Sequence, residues 1–66
     1  MKVKLEERFA FVREDGESQN FFGVTFTCQN KEFGEGKIKS EWFADVEAKD
    51  AKVMEKLGRV EIIKDK

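Results

Sequence analysis

The chain has 66 residues, 41% of them charged, with 13 Lys+Arg against 14 Asp+Glu and a formal net charge of −1. That length supports one domain at most, so a single domain over residues 1–66 is expected. The absence of His and the presence of a single Cys exclude histidine-based triads, His-rich zinc sites and an internal disulfide framework.

Residues 2–13 alternate with period two. Val3, Leu5, Phe9 and Phe11 fall on one face and Lys2, Lys4, Glu6 and Arg8 on the other, as in a strand with one buried side. Glu7 breaks the alternation, so a bulge or a rim position is expected there. Asp15-Gly16 is a strong hairpin signal, because both turn positions favour positive φ. Residues 21–29 alternate again, with Phe22, Val24, Phe26 and Cys28 on one face and Phe21, Gly23, Thr25 and Thr27 on the other. A two-residue turn at Asp15-Gly16 would pair Phe9 with Phe22, Leu5 with Phe26 and Val3 with Cys28, placing both apolar sets on one side. The polar stretch 17–20 is compatible instead with a wider loop that starts the second strand at Phe21.

Residues 30–36 carry two glycines and three charges and read as a loop. Residues 37–44 read as a third strand, with Ile38, Ser40, Trp42 and Ala44 on one side and Lys37, Lys39, Glu41 and Phe43 on the other. Residues 46–57 have helical spacing, with Val46, Ala51, Val53, Met54 and Leu57 as the apolar stripe, Asp45 as N-cap and Gly58 as C′. Residues 59–64 form a last short strand with Val60 and Ile62 inward, and 64–66 a solvated end. The expected fold is α+β: a small β-rich domain of order β-β-β-α-β, either an antiparallel sheet or an OB-like half-barrel, packed with one helix. This layout resembles small single-strand-binding OB-type proteins in architecture and residue character, with four strands counted here against the barrel's five.

The residue types argue against catalysis. No base stands ready for a nucleophile, and Cys28 falls on the expected buried face. The carboxylates at 6–7, 14–17 and 45–50 read as solvated charge, and the acidic turn lacks the spaced ligands of a calcium loop. Gly34-Glu35-Gly36-Lys37 lacks the spacing and the following helix of a phosphate loop. No enzyme, cofactor or metal is therefore expected. No apolar run reaches the roughly 18 residues of a membrane helix and no apolar leader follows Met1, so a cytoplasmic chain without a membrane partner is expected.

One face of the expected sheet does combine cations with rings. Lys2, Lys4, Arg8, Phe21, Lys37, Lys39 and Phe43 share it, and Phe33 stands in the Gly-flanked loop. Cations that track phosphates and rings that stack on bases are the chemistry of single-stranded nucleic-acid binding. The alternative is a protein-interaction module, a small inhibitor or accessory factor. It would act through a sheet edge, the acidic turn or an acidic face of Asp45, Glu47, Asp50 and Glu55. A homodimer through edge strands is compatible with either.

Overall fold

A computed structural model describes residues 1–63. It contains β1 (Lys2–Leu5), a single 3-10 turn (Glu7–Phe9), β2 (Ser18–Phe21), β3 (Val24–Glu32), β4 (Ile38–Asp45), α1 (Ala48–Lys56) and β5 (Val60–Ile63). The strands form one antiparallel sheet in the order β2-β3-β4-β1-β5. The fold is thus a small α+β domain with its helix before the last strand, as expected. The sheet is open, with β2 and β5 at its edges.

The pairing of the first strand departs from expectation. β1 stops at Leu5, and Val3 lies between Ala44 of β4 and Ile62 of β5 rather than opposite Cys28. At Glu6 the chain still donates its N–H to the Arg59 carbonyl (3.0 Å), then winds into the 3-10 turn, closed by Phe9 N–H to Glu6 O (2.9 Å). Glu7 therefore begins a turn and is not a bulge within a strand. Residues 10–13 cross the inner side of the sheet without joining it. Trp42 Nε1 donates to the Phe11 carbonyl (3.1 Å), and Arg13 N donates to Ser40 Oγ (3.3 Å). A chain laid across a sheet can press alternate residues into the core just as a strand does. That is why Phe9 and Phe11 kept the period of two.

Asp15-Gly16 does turn the chain, with Gly16 at φ +87° and Glu17 N–H bonded to Glu14 O (3.2 Å). The hairpin itself lies one turn later. β2 and β3 pair Phe21 with Val24 around Phe22-Gly23, both at positive φ (+54° and +79°). Because paired residues share a face, Phe21 lies with Val24 and Phe26 on the inner side. There its ring meets those of Phe11, Phe26 and Trp42 at 5.4–5.7 Å.

The inner face buries Val3 and Leu5 of β1, Phe26 and Cys28 of β3, Trp42 and Ala44 of β4, and Val60 of β5. Ala51 and Met54 of α1 close over them. Helical spacing selects those two residues, while Val53 and Leu57, included in the expected stripe, are exposed. The helix is shorter than expected. Asp45 ends β4 by pairing with Lys2, and Glu47 takes the N-cap position without a side-chain bond. Gly58 does serve as C′. At φ +75° it lets its own N–H reach Glu55 O (2.9 Å) and the next N–H reach Met54 O (3.1 Å), closing the helix end. Of the expected last strand, residue 64 lies outside the described residues, as does the 64–66 end.

Candidate functional site

The sheet has one bare face. Register places Thr25, Thr27, Gln29 and Lys31 of β3 there, with Lys39, Glu41, Phe43 and Asp45 of β4, Lys2 and Lys4 of β1, and Glu61 of β5. Near its centre a shallow depression of about 340 Å³ is lined by Lys2, Thr25, Thr27, Gln29, Phe43 and Asp45. Lys2 Nζ sits 4.7 Å from the centroid of the half-buried Phe43 ring. Lys4 Nζ lies 2.7 Å from Glu41, and Lys39 Nζ lies 2.6 Å from Glu7, which reaches in from the 3-10 turn. These contacts move the carboxylates. The hydrogen bond from Lys4 holds Glu41 below its ordinary value of 4.5, and the bond from Lys39 does the same for Glu7, while Lys39 is raised in return. Two of the face's four lysines are thereby neutralised locally.

The residues singled out in the sequence separate into four groups. Lys2, Lys4, Lys39 and Phe43 do share the bare face. Phe21 lies on the opposite face, in the aromatic core. Arg8 is also elsewhere: it stacks on Phe9 (4.7 Å) and donates to the Gly58 carbonyl (2.7 Å) at the end of α1. Phe33 and Lys37 meet at the far end of the β3–β4 hairpin, joined by Phe33 N–H to Lys37 O (3.0 Å). No continuous acidic face forms on α1, because Asp50 and Glu55 lie on either side of the buried Ala51 and Met54, while Lys49, Lys52 and Lys56 share the outward face. In the acidic turn Asp15 Oδ1 is already occupied by the Asn30 N–H (2.7 Å).

A second feature was not foreseen. β4 runs past the end of β1: it pairs with β1 only over Phe43, Ala44 and Asp45, whereas β3 accompanies it back to Ile38. Beside the overhanging residues lies a cleft of about 280 Å³. Ala10, Phe11, Val12, Phe33 and Ile38 supply its apolar lining, and Lys4, Glu7, Lys39 and Glu41 its charged rim. Val12, Phe33 and Ile38 are 79%, 56% and 60% exposed. Ile38 was expected to be inward-facing, and it is on the inner side, but the chain that would cover it has turned away after Leu5. Phe33 in the glycine-containing loop was the one sequence signal for this place. Val12 gave none, because it sits out of phase with Phe9 and Phe11.

Among the described residues no cluster of three or more His, Cys, Asp or Glu side chains could hold a metal ion. Cys28 is fully buried. No described helix is long and apolar enough to cross a membrane. No protein-family model matches the chain, and no curated protein or solved structure is significantly similar to it.

Proposed function

We propose that the chain is a small non-enzymatic domain that binds another protein through the cleft beside β4. The observation that carries this reading is the cluster of exposed Val12, Phe33 and Ile38 around one recess. A contiguous apolar patch rimmed by charge on so short a chain marks an interaction site more than a solvated surface. Single-stranded nucleic-acid binding on the bare face is the second reading. In its favour are the half-buried Phe43 ring and Lys2 beside it. Against it stand the inward turn of Phe21 and the pairing of Lys4 and Lys39 with carboxylates.

The two readings separate in one comparison. The wild-type chain and an Ile38→Asp variant are each immobilised and exposed to lysate. A protein retained only by the wild type is then purified and its direct binding measured. Equal retention by both chains would end the protein-binding reading. Saturable binding of a labelled oligonucleotide, lost in a Phe43→Ala variant, would move the function to the bare face.

A further inference from the structure

The cleft has a main-chain wall as well as an apolar one, and that wall says what shape of ligand fits. The Lys37 carbonyl accepts from the Phe33 N–H across the hairpin. In an antiparallel pair the residues that bond to the partner alternate, so Lys39 and Glu41 also direct their N–H and C=O groups at β3. Ile38 and Ser40 direct theirs the other way. On that side β1 ends with Leu5, at the level of Trp42, and both residues line the cleft. Four overhanging residues amount to about 13 Å of strand edge.

The charges beside this edge say what side chains fit. Lys31 and Lys39 face each other directly across β3 and β4, and Lys37 follows two residues along. Like charges in directly opposed positions destabilise a sheet. Glu7 relieves part of this by placing its carboxylate 2.6 Å from Lys39. Glu7 comes from the turn that bounds the cleft and is largely exposed. It occupies the position that a carboxylate on an added strand would take.

We propose that the partner enters as an extended acidic segment that adds to the free edge of β4. Its main chain bonds to Ile38 and Ser40. Its alternate apolar side chains enter the recess of Val12, Phe33 and Ile38, and its carboxylates replace Glu7 on Lys39. This rests on the protein-binding reading and adds the mode and the chemistry of the partner.

The test is an NMR titration of the full chain with three probes. They are a peptide of about ten residues alternating valine and glutamate, the same peptide with lysine for glutamate, and an oligothymidylate of similar length. Strand addition predicts saturable shifts and slowed amide exchange at Ile38 and Ser40 with the acidic peptide. The lysine peptide binds at least about fivefold more weakly, the equivalent of one lost surface ion pair with its repulsive replacement. Ile38→Pro removes a donor that faces the cleft and none that faces β3, so it abolishes peptide binding while the Trp42 resonances keep their positions. Lys39→Glu, which leaves the main chain intact, weakens the acidic peptide and serves if the proline variant does not fold. Absence of acidic-peptide binding, or binding by oligothymidylate alone at these residues, overturns the proposal. Shifts at Val12 and Phe33 without slowed exchange at Ile38 and Ser40 also overturn strand addition, but leave protein binding at the cleft standing.

Discussion

Glu41 shows how a single residue sets a pH limit on this fold. Its side chain is mostly buried on the bare face, where Lys4 holds it at 2.7 Å. The hydrogen bond from Lys4 outweighs the burial and lowers the carboxyl below its ordinary 4.5. A carboxyl lowered on folding contributes stability that is fully present above its unfolded value and is lost as pH falls through the folded one. Urea midpoints followed by Trp42 fluorescence should therefore drop between about pH 5 and pH 2, and drop less in a Glu41→Gln variant. Glu7 has the same sign but lies in solvent, so salt should erase its share first. An equal pH slope in the wild type and the Glu41→Gln variant would show that the Lys4 contact contributes nothing.

Between elements, the crossing segment 10–13 is what makes the cleft, and a small polar network ties it down. Ser40 Oγ donates to Asn30 Oδ1 (2.6 Å) and accepts from Arg13 N, while Asn30 Nδ2 donates to the Arg13 carbonyl (3.1 Å). Ser40 is buried. Ser40→Ala should cost about 0.5–1.5 kcal/mol, because it removes one hydrogen bond to Asn30 Oδ1 and leaves the part-buried Arg13 N–H without its acceptor. It should also speed amide exchange at Arg13, and unchanged exchange there would remove the network from the account. The sequence could not show this arrangement. Period-two patterning reads which side of a residue is buried, and it assigned the faces of Val3, Leu5, Phe26, Cys28 and Trp42 correctly. It does not read which strand lies alongside. The pairing of β1 with β4 and β5 spans some forty to sixty positions of sequence and leaves no local trace. The Phe22-Gly23 turn was hidden for another reason. Phenylalanine is a poor residue for positive φ, so Phe21 and Val24 read as one continuous strand. That single misreading put Phe21 on the wrong face, and with it half of the aromatic platform expected there.

The whole molecule is a sheet with one covered face and one bare face, and the charge on the bare face decides between the two readings of function. Five cations were expected to serve a nucleic acid there: Lys2, Lys4, Arg8, Lys37 and Lys39. In the fold, Arg8 is committed to the end of α1, and Lys4 and Lys39 are committed to carboxylates. Lys37 belongs to the hairpin end. Among the described residues, Lys2, Lys31 and, at that end, Lys37 are the cations of this side that form no ion pair, and Glu41, Asp45 and Glu61 share the surface with them. Each phosphate neutralised on a single strand contributes about −0.7 to the slope of log K against log salt. Five engaged cations would give about −3.5, and three give about −2.1. Anisotropy of a labelled oligothymidylate, measured from about 20 to 200 mM NaCl, should therefore return weak binding with a slope no steeper than about −2.1. A slope near −3.5 would mean that the ion pairs open to meet phosphate, and the bare face would then displace the cleft as the seat of function. The shallow slope is the expected result because opening Lys4–Glu41 exposes a carboxylate to the same phosphate that Lys4 would contact. The repulsion cancels much of what the freed cation gains.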